Sequence, residues 1–238
     1  MIVFVPRLSD RNIARSAWLN ESFWRSNNVT TKILYVIGSK SEMNATLEHD
    51  SIILTNLTES RWNLKFKVRA ALKYVQKHYS FDYVIKTDID VINNFVMWKD
   101  KLSAYNETNP LYYGGALCQP HLGVEYNFCS GMGYVLHYSV VHHLTQYPYD
   151  LMEGAEDRNT GKCMYELGIK VDYSMFFAWK QELNTSTRSM LMYHWRDCKA
   201  NLAESLRTRG SLHFHRTTTE NMLDCWKSAN ITNDNIID

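Results

Sequence analysis

The stretch YVIKTDID, residues 83–90, decides the fold. Tyr83 to Lys86 forms a short apolar run that predicts a β-strand, and it leads directly into Thr87, Asp88, Ile89 and Asp90. Side chains two residues apart in an extended segment point to the same side, so we expect the two carboxylates to face one way and Ile89 to face the core. Carboxylate oxygens are ligands that Mg²⁺ and Mn²⁺ prefer. The pair is therefore either a divalent-cation site or a solvated strand end.

Strands and helices alternate through the first 90 residues. The predicted strands are Ile2 to Val5, Ile33 to Ile37, Ser51 to Leu54 and Tyr83 to Lys86, and the predicted helices are Asn12 to Trp24 and Ser60 to Tyr79. Such alternation predicts an α/β fold with a mostly parallel sheet flanked by helices. Ligands of these sheets bind beyond the carboxyl ends of the strands, where the two aspartates lie.

The second half of the chain has a more mixed pattern. Strands are predicted near Leu111 to Gly114 and Gly133 to Leu136, and a helix is predicted after Glu156. There are no repeats, low-complexity runs or evident linkers, so we expect residues 1–238 to form a single domain with two lobes.

Composition excludes several classes of protein. The formal net charge is +1 with acids and bases interleaved, which gives no concentrated positive charge for DNA or RNA. No apolar run reaches about 18 residues, the length that would cross a bilayer. The apolar start at Met1 is too short for a signal peptide, so a secretory protein would need a targeting segment outside this chain.

Two sequence features nevertheless favour the secretory pathway. Seven N-glycosylation motifs begin at Asn20, Asn28, Asn44, Asn56, Asn106, Asn184 and Asn230. The five cysteines have no zinc-like spacing, which favours disulfides or buried thiols over a metal site. A chance excess of motifs in an Asn-rich chain is the alternative explanation.

Two further clusters could carry chemistry. Glu156 and Asp157 begin the predicted helix, where acidic residues also stabilise a helix N-terminus electrostatically. His213 and His215 alternate on a segment near the C-terminus and could bind a metal on one side, although a lone histidine is more often structural.

Seven segments, in order and spread along nearly the whole chain, carry a family resemblance. They are Arg11 to Trp18, Ile33 to Gly38, Asn63 to Lys67, Tyr83 to Asn94, Phe128 to Leu136, Glu156 to Ile169, and His215 to Trp226. Their patterns include Arg-x-x-Trp, Asn-Leu-x-x-Lys, Lys-x-Asp-x-Asp-Val and Cys-Ser-Gly-x-Gly-Tyr-Val-Leu. In this order they resemble the β-1,3-galactosyltransferase family, which also includes β-1,3-N-acetylglucosaminyltransferases.

The resemblance implies a nucleotide-sugar transferase fold with a Rossmann-like lobe, and a type II membrane protein of the Golgi whose lumenal part is this chain. Residues 1–95 would form the nucleotide-binding lobe and residues 96–238 the acceptor lobe. The implied reaction moves galactose, or an N-acetylhexosamine, from a UDP-sugar to the 3-hydroxyl of an acceptor glycan, with inversion and with Mn²⁺ as cofactor.

The resemblance also implies a role for each site residue. Asp157 would be the catalytic base, and Asp90 and His215 would be the metal ligands. Donor-binding residues would be Arg15, Lys67, Asp88 and Glu156. We expect Asp90, His215 and Asp157 to meet around one cleft.

The sequence departs from the family pattern in four places. Ile89 replaces the central aspartate of an acidic triplet, and Arg158 replaces the valine that follows the Glu-Asp pair. The glycine run contains Met132, and the short stretch from Gly115 to Phe128 has no counterpart of the family's longer loop with Lys-Trp-Tyr. A catalytically inactive glycan-binding or chaperone-like relative is therefore an alternative. A nicotinamide-dependent oxidoreductase is excluded because no G-x-G-x-x-G follows any early strand.

Overall fold

The computed structural model describes residues 2–4, 8–26, 31–38, 50–53, 57–58, 60–105, 110–117, 125–148, 154–172, 211–213, 218–229 and 231. The helices in these ranges are α1 (Leu8–Arg15), α2 (Glu21–Ser26), α3 (Leu64–His78), α4 (Phe95–Ser103), α5 (Tyr138–Gln146), α6 (Glu156–Glu166) and α7 (Thr219–Ser228). The strands are β1 (Ile2–Phe4), β2 (Leu34–Ile37), β3 (Ser51–Ile53), β4 (Tyr83–Asp88), β5 (Val91–Asn93), β6 (Tyr112–Leu117), β7 (Phe128–His137), β8 (Val171–Asp172) and β9 (Ser211–His213).

The chain divides into two compact units that are interleaved along the sequence. Unit 1 comprises Met1–Pro6, Leu34–Thr87 and Glu107–Met175, and unit 2 comprises Arg7–Ile33, Asp88–Asn106 and Phe176–Asp238. These boundaries follow packing. The functional assignment of residues 1–95 to donor binding and 96–238 to acceptor binding stays a prediction.

Unit 1 contains a seven-stranded mixed sheet in the order β3-β2-β1-β4-β7-β6-β8. Strand β2 runs parallel to both β1 and β3, as the alternating sequence pattern predicted. Strand β7 is antiparallel to both β4 and β6, which the prediction of a mostly parallel sheet did not include. Ten residues separate β6 from β7, fewer than the dozen or so that a parallel crossover needs, so antiparallel pairing follows.

Helices α3, α5 and α6 pack together in unit 1, and α5 and α6 also pack on β7. The apolar face of α3 lies inside the core, because Val68, Ala71, Leu72 and Val75 recur at helical spacing and are buried. The rest of this core comes from β2, β3, β4, β6 and β7 of the sheet and from α5 and α6. Burial of this area is the main stabilising contribution to unit 1.

The predicted helix from Asn12 to Trp24 is two helices, α1 and α2. The break has a local cause: the Asn20 side-chain oxygen accepts hydrogen bonds from the backbone N–H groups of Ser22 and Phe23, at 3.0 and 3.3 Å. Asn20 thereby caps the N-terminus of α2, a role that asparagine performs well. The first residue of one glycosylation motif thus also has a structural function.

Unit 2 is built on aromatic side chains. The Trp24 ring lies edge-on to both Phe23 and Phe95, and Trp226 of α7 packs edge-on against Phe23. The buried indole N–H of Trp24 donates to the carbonyl of Trp18 at 2.9 Å. These contacts join α2 to α4 through Phe95 and to α7 through Trp226.

A buried polar contact fastens α1 to α7 in the same unit. The Thr219 hydroxyl donates to the Asp10 carboxylate at 2.7 Å, and both residues are buried. A buried carboxylate without a donor would be costly, so this bond favours one docking of the two helices.

The cysteines that the structure describes behave as the spacing predicted. Cys129 and Cys163 are free and buried, and Cys225 is disulfide-bonded. Burial raises the pKa of the Cys163 thiol to about 12 and raises the pKa of Cys129 well above its usual range. Both thiols are therefore protonated and structural at physiological pH.

No helix in the described ranges is long and apolar enough to cross a membrane.

Gly161 on α6 permits the close approach of this helix to β7. A β-carbon at position 161 would lie 2.1 Å from Cβ and 3.1 Å from Cα of Phe128, so the helix could not stay where it is. Glycine in a helix interior is normally less stable than alanine by about 1 kcal/mol. At position 161 the close packing of α6 on β7 offsets this loss.

We expect Gly161→Ala to lower the free energy of unfolding by about 1–3 kcal/mol, because overpacking outweighs the gain in helix propensity. Urea unfolding followed by circular dichroism measures the change. Lys162→Ala, at the exposed neighbouring position, is the matched control and should stay within about 0.5 kcal/mol of wild type. Equal or greater stability of Gly161→Ala would contradict the packing.

Candidate functional site

The acidic pair lies at the end of a strand, as predicted. Asp88 is the last residue of β4, and Ile89 and Asp90 form the turn that leads into β5. Ile89 is buried, in agreement with the expectation that it faces the core, and both aspartates are half-buried. The expectation that the segment stays extended through Asp90 was wrong. The chain turns at residues 89–90, because β5 starts immediately afterwards and pairs with β9.

The backbone of the C-terminal segment lies beside this turn within unit 2. Strand β9 runs antiparallel to β5, and its last residue, His213, is the register partner of Val91, which directly follows Asp90. His215 lies outside the described residues, so its role as a metal ligand stays a prediction. Arg15, predicted to bind the donor, is the half-buried last residue of α1 in the same unit.

Asp88 and Asp90 have the donor chemistry that the predicted Mn²⁺ requires, since both offer hard carboxylate oxygens. No cluster of three or more acidic, histidine or cysteine side chains suited to a metal occurs within the described ranges. The ligand type of the two aspartates is therefore compatible with Mn²⁺. A third ligand would have to come from elsewhere in the chain or from the substrate.

Lys67, also predicted to bind the donor, lies in unit 1 close to the end of β2. It occupies the first turn of α3 and is buried, and a β-carbon at Gly38 would lie 3.2 Å from both Cδ and Cε of Lys67. Gly38 follows directly after β2. The structure therefore brings together two segments that the resemblance matched separately, at a carboxyl end of a parallel strand.

Asp157 lies in the first turn of α6, and its carboxylate is fixed by two backbone donors. Oδ1 accepts from the N–H of Arg158 at 2.8 Å, and Oδ2 accepts from the N–H of Gly131 at 3.2 Å. The side chain is half-buried, so solvent reaches part of it. A carboxylate can accept about four hydrogen bonds, which leaves capacity for a substrate hydroxyl.

Glu156, the neighbour of Asp157, points into the protein. Its Oε1 accepts hydrogen bonds from the hydroxyl groups of Tyr134 and Thr160, and its Oε2 lies 3.6 Å from Nζ of Lys86. Glu156 and Lys86 are both buried. The ammonium of Lys86 also donates to the backbone carbonyl of Gly131.

Sequence reasoning missed the members of this network other than Glu156. Lys86 did carry a signal: it is a charged residue at the end of an otherwise apolar strand segment, where burial requires a buried partner. Gly131 and Tyr134 lie in a segment that resembles the family, but their hydrogen bonds to α6 span 22 to 26 residues, and no local pattern predicts them. Thr160 follows Glu156 by four residues, so helical spacing alone could have placed the two side chains together.

The predicted site residues fall into two groups, each within one unit. Lys67, Glu156 and Asp157 belong to unit 1, whereas Arg15, Asp88, Asp90 and the histidine segment belong to unit 2. The expectation of a shared cleft stays a prediction.

Two solved structures illustrate what the chain is similar to. One is the galactosyltransferase LgtC in complex with donor and acceptor sugar analogs, at 13% identity, with 97% of this chain and 96% of that chain covered and a TM-score of 0.49. The other is a glycosyltransferase involved in the glycosylation of the major capsid of PBCV-1, at 14% identity, with 95% and 97% covered and a TM-score of 0.45. Both TM-scores lie below 0.5, too low to show a shared fold.

No curated protein sequence matches the chain significantly. A family model described as Galactosyltransferase matches residues 9–121. This range includes Arg15, Lys67, Asp88 and Asp90, and it ends before Glu156 and Asp157. The predicted resemblance is therefore confirmed, and residues 9–121 carry the sequence pattern of the galactosyltransferase family.

Proposed function

We propose that the chain is an inverting, UDP-sugar-dependent β-1,3-glycosyltransferase. It would move galactose, or an N-acetylhexosamine, to the 3-hydroxyl of an acceptor glycan. The family match over residues 9–121 supports the reaction class. The single observation that carries the mechanism is the Asp157 carboxylate, which two backbone N–H groups hold at the start of α6 with one part accessible to solvent.

Asp157 would act as the general base. It accepts the proton of the acceptor hydroxyl while that oxygen bonds to the anomeric carbon of the donor sugar. The bond from the anomeric carbon to UDP breaks, and its electrons leave with the diphosphate. Attack opposite the leaving group converts an α-linked donor into a β-linked product in one displacement. One base is sufficient because no covalent sugar intermediate forms.

The donor-binding residues keep the roles that the resemblance implies. Mn²⁺, when held by Asp90 and His215 with Asp88 contacting ribose or metal, would supply charge neutralisation for the departing diphosphate. Arg15 and Lys67 offer cations for the phosphates or for uridine. For Glu156, the inward hydrogen bonds favour a positioning role over direct contact with the donor.

We also propose that the protein works in the Golgi lumen, anchored as a type II membrane protein by a segment outside this chain. The disulfide at Cys225 and the seven glycosylation motifs support an oxidising, secretory compartment.

We expect Asp157→Asn to retain UDP-sugar binding and to lose transfer by a factor of about 10²–10⁴, because an amide cannot accept the proton. UDP release with a panel of UDP-sugars and simple glycoside acceptors measures transfer. Asp82→Asn, an exposed aspartate that precedes β4, is the matched control and should keep full activity. Near wild-type transfer by Asp157→Asn would show that another residue is the base.

We expect Asp90→Ala to abolish Mn²⁺-dependent binding of the UDP-sugar, because it removes one of the proposed ligands. Calorimetric titration with Mn²⁺ present, and again after chelation, gives both affinities. Asp100→Ala, an exposed aspartate on α4, is the control. Unchanged affinity of Asp90→Ala would exclude the metal role. A wild-type protein that binds glycan but releases no UDP would instead be the inactive relative.

A further inference from the structure

We propose that Lys86 is a positioning residue whose buried ammonium sets the orientation of the Asp157 carboxylate through Gly131. The inference deepens the proposed function and rests on it, since it assigns to Lys86 a task in holding the proposed base. The path consists of a buried ion pair, a backbone junction and a carboxylate, all within unit 1.

The first step is the burial of Lys86. Its side chain has no solvent-exposed surface, and its Nζ lies 3.6 Å from Oε2 of Glu156, whose side chain is 1% exposed. An ammonium group moved out of water must be compensated by a partner charge and by hydrogen-bond acceptors. Lys86 obtains both from Glu156 and from the carbonyl of Gly131, and the face of the Tyr134 ring lies 5.8 Å away.

The second step is the attachment of α6 to β7. Oε1 of Glu156 accepts from the hydroxyl of Tyr134, a β7 residue, and from the hydroxyl of Thr160, one turn further along α6, at 3.2 Å. The Tyr134 and Thr160 oxygens lie 3.4 Å apart. Glu156 therefore ties the first turn of α6 to the strand while it neutralises Lys86.

The third step is the junction at Gly131. Its carbonyl accepts from Lys86, and its N–H donates to Oδ2 of Asp157 at 3.2 Å. One residue of β7 thus contacts both the buried ammonium and the proposed base. Lys86 constrains this stretch of backbone, and the backbone N–H constrains the carboxylate.

The junction requires glycine for space. A β-carbon at position 131 would lie 3.3 Å from Oδ2 of Asp157 and 3.6 Å from its Cβ and Cγ, which would push the carboxylate by a few tenths of an ångström. At Gly133, two residues along the same strand, a β-carbon would lie 3.5 Å from the Lys86 carbonyl oxygen, an ordinary contact. The chain therefore offers a matched pair of substitutions.

The double variant Lys86→Met with Glu156→Gln tests the ion pair, because it removes both charges and leaves the local net charge unchanged. Each single variant buries an uncompensated charge and should lower Tm strongly. In the double variant, most of this loss in Tm should be recovered. We expect the double variant to keep wild-type donor affinity and to lose kcat by about 10²-fold, the scale of a misplaced reacting group. A merely structural ion pair would give a kcat within about threefold of wild type, which would overturn the proposal.

Gly131→Ala and Gly133→Ala test the junction without touching a charge. We expect both to fold with similar Tm, and only Gly131→Ala to lower kcat, by about tenfold or more, at unchanged donor affinity. Equal kcat in the two variants would contradict the proposal. This pair decides the question even if the double variant does not fold.

Hydrogen exchange provides a readout that needs no activity. In the double variant we expect the Gly131 amide to exchange at least tenfold faster than in wild type, while amides of β2, three strands away from β7 in the sheet, stay unchanged. Unaltered Gly131 protection would overturn the proposal even in an active enzyme. If wild-type protein releases no UDP, the proposed function fails, whereas the exchange experiment still tests the link from Lys86 to Asp157.

Discussion

The burial of one ammonium group, that of Lys86, constrains much of unit 1. An isolated charge in an apolar interior costs far more than a folded domain can supply, so Glu156 and the Gly131 carbonyl must be present around it. Meeting that requirement joins β4, β7 and α6. Buried ion pairs seldom add net stability compared with apolar residues of similar volume. Their contribution is the selection of one arrangement, and here that arrangement includes the proposed base.

The same helix shows how packing and chemistry share residues. Gly161 lets α6 approach Phe128 on β7, and Cys163 is buried in the core below it. One turn earlier, Glu156 and Thr160 face inward, and Asp157 reaches the Gly131 N–H. Gly161 thus lets the helix that begins with Glu156 and Asp157 lie close to β7.

Much of the fold was predictable from local periodicity. The strand ending at Asp88 and the amphipathic α3 follow from residues close in sequence, and the predicted bounds are near the observed ones. The break between α1 and α2 was not predicted, because the Asn20 cap interrupts an apolar pattern that continues across it. The antiparallel pairing of β7 was also missed, since strand direction depends on partners distant in sequence.

The candidate site residues could be chosen from the sequence by residue type, whereas their contacts could not. Asp88, Asp90, Glu156 and Asp157 stand out because carboxylates follow a strand or begin a helix. The sequence did not predict that Glu156 faces inward while Asp157 is half-exposed, because two adjacent acidic residues at a helix start look alike in a motif. The two carboxylates differ in environment because the hydroxyl groups of Tyr134 and Thr160 donate hydrogen bonds to Glu156.

The interleaving of the two units has a consequence for how the protein is made. The backbone passes from one unit to the other five times, at residues 6/7, 33/34, 87/88, 106/107 and 175/176. A contiguous fragment that holds all of one unit therefore also carries parts of the other, and no single cut separates the two units. On the ribosome, the seven-stranded sheet cannot be completed until β8 has emerged, so the nascent polypeptide must hold its early apolar strands in an unfinished state through most of its synthesis.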